Sequence, residues 1–413
     1  MSKNIWPPFT SLGIDYSPKK IVKGKGAYLF DEAGNRYFDA ISSWWVNAHG
    51  HCNDDINEAI KAQIDELEHC IFADFTHSAA ENLADDLVKY LPLKSPKVFF
   101  SDNGSTAVEV AIKMAIQAKF NKGESSNCIL SLSNAYHGDT FGAMSVANNG
   151  TFFGAFAPYM FDVVSVDIEA NEPNDAYLDQ LISDKKVAAL VYEPLVQGAG
   201  GMRMPEQRRY ESILAYCRKK GIYLIADEVM TGFGRCEALF ASNIISVKPD
   251  IMCLSKCLTG GYLPMGLSCA SQDIWEAFND RAPEKTFYHG HSYTANPIAC
   301  AAANASLKIS VSEEGFANRK RIAEKFAEYK SILEQTDKVF NTRHTGCILA
   351  FEVGENVTGY VNNLTPTIKR KALEKGVLLR PLGNTLYFLP PFVSSNVQLD
   401  TMFQATLEII SEL

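Results

Sequence analysis

Apolar residues recur with two different periods along this chain. In DDINEAIKAQIDELEHC (54–70), Ile56, Ile60, Ile64 and Leu67 share one face at helical spacing. Before it, glycines and Asn35 punctuate short runs such as AYLF and RYFDA, so residues 20–40 predict a small hairpin-rich unit. From about residue 80 to 305 the texture changes. Continuous apolar runs (KVFFS, CILSLS, DVVSVD, VAALVYEP, GIYLIAD, DIMCL) alternate with helical patterns such as STAVEVAIKMAIQAKF. Apolar strands alternating with helices predict a mostly parallel sheet covered on both faces. Beyond residue 305 a long helix precedes the short strands GCILAFEV, VLLRPL and TLYFLPP, and VQLDTMFQATLEIISEL closes the chain as a helix. The pattern therefore predicts an α/β protein in three stretches. Residues 1–55 contribute to a small α+β domain, 56–305 form a large domain, and 306–413 complete the small one.

Composition narrows the function classes. With 413 residues, 46% of them apolar, the chain is long enough for a large core and a second unit. The 39 basic against 48 acidic residues give a net charge of −9, and no basic block suits a nucleic-acid backbone. No run approaches the roughly 20 apolar residues that span a bilayer, and the opening MSKNIWPPFT lacks the apolar region of a secretory leader. The ten cysteines lack paired spacing; free thiols in a reducing cytoplasm, with no metal, are expected.

Four separated segments carry candidate chemistry, and in a parallel α/β sheet they can converge beyond the carboxyl ends of the strands. Asp102-Asn103-Gly104-Ser105-Thr106 falls between a strand and a helix, where free N–H groups and the helix dipole favour a phosphate; an ordinary N-cap is the other reading. Asp227 closes GIYLIAD. A buried acid there needs a cationic partner, either a protonated pyridine nitrogen or a structural or metal contact. Lys256 follows DIMCL and precedes Thr259-Gly260-Gly261. Apolar surroundings favour the neutral amine that imine formation requires, whereas an isolated lysine would be a surface residue. Tyr136, in Asn134-Ala135-Tyr136-His137-Gly138, is placed either to stack on a flat ring or to pack in a core.

Together these segments, with AALVYEPLVQGAGGM and LIADEVMTGFGR, resemble the fold-type I, class III aminotransferases over nearly the whole chain. The resemblance implies a seven-stranded sheet, pyridoxal 5'-phosphate (PLP) as cofactor, and a homodimer with shared active sites. WPPFTS, Trp44-Trp45, YHGDTFGAMSV, YHGHSYTANPIACAAANASL and LLRPLGNTLYFLPP are similar to one branch of that class. That branch converts 8-amino-7-oxononanoate to 7,8-diaminononanoate in biotin synthesis. It implies Lys256 as the cofactor-linked and proton-moving residue, and Asp227 at the pyridine nitrogen. Gly104 and Ser105 would hold the phosphate, and His291 and Ser292 the phosphate of the neighbouring subunit. Tyr136 would stack on the ring and face the substrate, while Trp44 and Gly290 would line the substrate pocket. Arg380 would meet the substrate carboxylate, with Arg235 as a further contact near the cofactor or donor. Core packing is the other reading of Trp44-Trp45, and one of the two is expected to do only that. Phe9, Asn103 and Cys236 depart from the usual pattern, which leaves the amino donor open between S-adenosylmethionine and lysine.

Overall fold

The computed structural model describes residues 4–10, 18–147, 153–169, 174–354 and 364–413. Seven strands form the central sheet: β4 (Lys97–Ser101), β5 (Cys128–Leu132), β6 (Val163–Val166), β7 (Val187–Tyr192), β8 (Tyr223–Asp227), β9 (Ile251–Leu254) and β10 (Gly266–Ala270). Their spatial order is β4-β10-β9-β8-β7-β5-β6. Strand β10 runs antiparallel to both neighbours, and the remaining pairs are parallel. The sheet is the α/β layer expected from the alternating runs, although GLSCA (β10) is too rich in small residues to stand out in the sequence.

Successive strand residues point to opposite faces. Ile129, Val191, Ile225 and Cys253 pack under helix Gly104–Asn121, while Leu130, Leu190, Leu224 and Leu254 face a second core with helix Gln207–Lys219. Helix Gly104–Asn121 buries Val108, Ala111, Ile112 and Ala115, among others, so it lies flat against the sheet with its N-terminus at the strand ends.

A four-stranded sheet joins distant parts of the chain. β1 (Ile21–Lys25), β2 (Tyr28–Asp31) and β3 (Arg36–Asp39) pair in sequence, and β3 then pairs in parallel with β13 (Val377–Leu378). A three-stranded sheet contains β11 (Val339–Thr345), β12 (Ile348–Val353) and β14 (Thr385–Phe388). VLLRPL forms only the two-residue β13, since Pro381 has no N–H to continue a ladder. The first long helix stops at Glu66, short of the expected Cys70, and Ile64 is exposed. Its C-terminal end carries Asp65, Glu66 and Glu68 and no base in the last turn, which opposes the helix dipole.

Candidate active site

A cavity of about 760 Å³ opens at the carboxyl ends of β7, β8 and β9. It collects Trp44, Gly104, Ser105, Tyr136, Asp227, Lys256 and Arg380 from across the chain.

At one end stands the N-terminus of helix Gly104–Asn121. Asn103 caps it: its side chain accepts from the Thr106 N–H at 3.0 Å, and the Thr106 hydroxyl accepts from the Asn103 N–H at 3.2 Å. Asparagine at this departure from the family pattern is thus a working N-cap. The next two N–H groups, on Gly104 and Ser105, have no acceptor within the helix. A Cβ on Gly104 would come within 2.8 Å of Val229. Gly138, at φ +128°, brings its loop so close that a Cβ would lie 2.0 Å from the Ser105 hydroxyl oxygen. That oxygen accepts the Thr140 N–H at 3.1 Å and lies 3.2 Å from the Thr140 hydroxyl. Two hydroxyls and a helix N-terminus make a cradle for a phosphate.

Asp227 lines the same cavity and is 5% exposed. One carboxylate oxygen accepts the Val229 N–H at 3.0 Å, and the other is 2.7 Å from His137 Nδ1. Burial works against a charged His137, but its hydrogen bond and charge interaction with Asp227 prevail and raise its pKa. The other ring nitrogen of His137 is buried without a partner among the described residues. Glu193 bridges two walls, accepting the Gly198 N–H at 2.9 Å and the Tyr136 N–H at 3.2 Å. Burial pushes its carboxyl up to about 7.

Lys256 adopts φ +46° two residues after the end of β9. Burial lowers its pKa, while Asp227 and Glu193 pull it back upward. The Tyr136 hydroxyl donates to Asp139 at 2.9 Å. Arg380 lies over the Trp44 ring at 4.2 Å, and Phe9 meets that ring edge-on at 5.5 Å.

Four expected participants lie elsewhere. Gly290, His291 and Ser292 are not on the cavity wall of their own chain; their loop is linked to His77, which bonds to the carbonyl of Ala295 at 2.8 Å. Arg235 is fully buried away from the cavity, its guanidinium held by the carbonyls of Pro390 (2.9 Å) and Trp45 (3.5 Å). Its work is to join chain segments. Cys236 is also buried off the cavity, so of the three departures only Phe9 and Asn103 border it. Sequence reasoning missed Thr140, Asp139, His137, Glu193 and Trp45. Glu193 had a readable signal: like Asp227, it is an acid directly after a wholly apolar run.

The cavity suits PLP on the evidence of its own groups: a phosphate cradle, a lysine, and a buried carboxylate able to hold a protonated ring nitrogen. The model for aminotransferase class-III matches residues 14–410, and the chain belongs to that family. It is a PLP-dependent transaminase. Adenosylmethionine-8-amino-7-oxononanoate aminotransferase of Synechococcus elongatus is 44% identical over 99% of both chains. A crystal structure of the Methanocaldococcus jannaschii enzyme of that name superposes with a TM-score of 0.92 at 33% identity, covering 99% of this chain and 97% of the other. An amine transaminase from an uncultivated Pseudomonas species, in its PLP-bound form, gives 0.90 at 30% identity over 100% and 99%.

Proposed function

We propose that this protein transfers an amino group to 8-amino-7-oxononanoate, giving 7,8-diaminononanoate for biotin synthesis, with S-adenosylmethionine as donor. The observation that carries the reading is Arg380 stacked on Trp44 at the cavity wall. No carboxylate among the described residues pairs with Arg380, so its fork is available to a substrate carboxylate. Apolar and aromatic walls (Trp44, Phe9, Tyr136, Leu382) suit the long stem between that carboxylate and the ketone. The 44% identity to a relative named for this reaction supports the same reading.

Bound PLP supplies an electron-accepting ring for the carbon that loses its proton. The chain's own groups do the rest. Gly104, Ser105 and Thr140 bind the phosphate. Asp227, oriented by His137, holds the protonated ring nitrogen. Tyr136 would stack on the ring, and Lys256 would carry the proton at Nζ. Proton transfer by such a positioned amine is worth about 10²–10⁴-fold. One cavity serves both substrates in turn, so the kinetics are ping-pong.

The same reading makes the protein a cytoplasmic homodimer, with Gly290, His291 and Ser292 completing the partner's site. Supporting it, Tyr288 and Tyr293, which flank those three residues, are both exposed. It also keeps the division at residues 55 and 305, which is consistent with a seven-stranded sheet drawn from 97–270 and a three-stranded one from 339–388.

The test is a donor and acceptor screen on the purified protein. With S-adenosylmethionine, 8-amino-7-oxononanoate should yield 7,8-diaminononanoate by mass spectrometry. Turnover with lysine alone would change the donor. Turnover only of ω-amino acids with pyruvate or 2-oxoglutarate would overturn the assignment.

A further inference from the structure

Lys256 has an unexpected neighbour. Its Nζ lies 4.7 Å from the centroid of the Trp45 ring, within reach of a cation–π contact. Trp45 is 4% exposed, lines the cavity, and is held from three directions. Its indole N–H donates to the Tyr387 hydroxyl at 2.9 Å. Its carbonyl accepts from the thiol of Cys257, the residue after Lys256, at 3.3 Å, and from Arg235 at 3.5 Å. Gly198 gives the ring room, since a Cβ there would reach Trp45 at 3.3 Å and Met230 at 3.0 Å.

The backbone leading to Trp45 is strained to place it. Ser42, Ser43 and Trp45 have φ of +49°, +62° and +69°, a region that side chains other than glycine rarely occupy. Contacts hold them there: Asp39 accepts from the Ser43 N–H at 2.7 Å, and the Ser42 hydroxyl donates to the Leu389 carbonyl at 2.8 Å. Strain of this kind persists only where the surroundings over-determine it.

We infer that Trp45 is a positioning residue for Lys256: its indole face is the seat of the Lys256 amine whenever that amine is not joined to the cofactor, and Tyr387 fixes the face. The inference rests on Lys256 being the proton carrier. Asp227 and Glu193 attract the Lys256 ammonium electrostatically, with Cys257 adding a weaker effect, but no described carboxylate forms an ion pair with it. The ring contact therefore adds to their attraction for the charged amine and aims it. Tyr387, from β14, meets the indole rather than the lysine.

The test uses full-length holoenzyme carrying the aminated cofactor, in which Lys256 is free. Acetic anhydride labelling of Lys256, followed by peptide mass spectrometry across pH, gives its titration midpoint. Trp45→Leu should lower the midpoint by about 0.5–1 pH unit, as expected for loss of a partly desolvated cation–π contact. Trp45→Phe, which keeps a ring, should shift it by less. Tyr387→Phe, a smaller change that spares packing, should also lower it, and the pH limb of kcat should move the same way. An unmoved midpoint in Trp45→Leu would overturn the inference, as would equal shifts with Leu and Phe, which would mean packing alone. Lys256→Ala separates the two readings. If that variant keeps turnover, the role of Lys256 fails. If it is inactive while the midpoint stays put in Trp45→Leu, only the role of Trp45 fails.

Discussion

A carboxylate buried at a strand end holds its charge only if something meets it, and Asp227 is met on both oxygens. His137→Phe would remove one charge-assisted contact, worth about 1.5–3 kcal/mol. Cofactor affinity, measured by absorbance on dilution, should fall about 10- to 100-fold. On the cavity wall beside Trp44, Arg380→Ala should raise KM for the oxononanoate by a similar factor and change kcat much less, because a carboxylate remote from the reacting carbon is bound alike in the ground and transition states. Steady-state kinetics with the acceptor varied would separate the two parameters. Asp227, Lys256, Gly104 and Ser105 were legible in the sequence because each sits at the end of an apolar strand or the start of a helix. His137 was not, though it stood in a segment already singled out. Its partner is 90 residues away, and only the convergence of β5 and β8 onto one edge reveals the pair.

Elements were read best where period and length agreed. KVFFS emerged as β4 over the same five residues, and the closing helix starts at Asn396, one residue before the expected run. β11 was missed because VFNTRHT is polar and half-exposed, with a register break between Phe340 and Arg343. The turn after β5 presses Gly138 onto the first turn of helix Gly104–Asn121. Gly138→Ala combines an unfavourable φ with a Cβ on top of the Ser105 hydroxyl. It should cost about 1–3 kcal/mol through strain alone. A lower Tm and weaker retention of cofactor in dialysis are expected together.

Across the whole molecule, His49 is a buried tie. It is 3% exposed, with Nε2 3.0 Å from the Ser306 hydroxyl and 3.3 Å from that of Ser310, and Ser306 in turn donates to the Cys257 carbonyl. Burial, with Arg235 and Arg319 nearby, lowers its pKa from 6.5 to about 3. Between those values the unfolded chain takes up a proton that the folded one refuses. Stability from this group is therefore full above pH 6.5 and falls by about 1.4 kcal/mol per unit below it. His49→Gln should narrow its stability gap to the parent by about 2 kcal/mol between pH 6.5 and 5, read from denaturant melts. The cavity itself depends on contacts between the chain's beginning and its closing stretch. The Ala40 carbonyl and the Leu389 N–H, the Ala48 carbonyl and the Phe392 N–H, Ser42 and Leu389, Trp45 and Tyr387 all meet across more than 340 residues. A ribosome delivers these partners at opposite ends of its work. The wall around Trp45 is thus incomplete on a nascent chain until Tyr387, Leu389 and Phe392 have been added, some 340 residues after their partners.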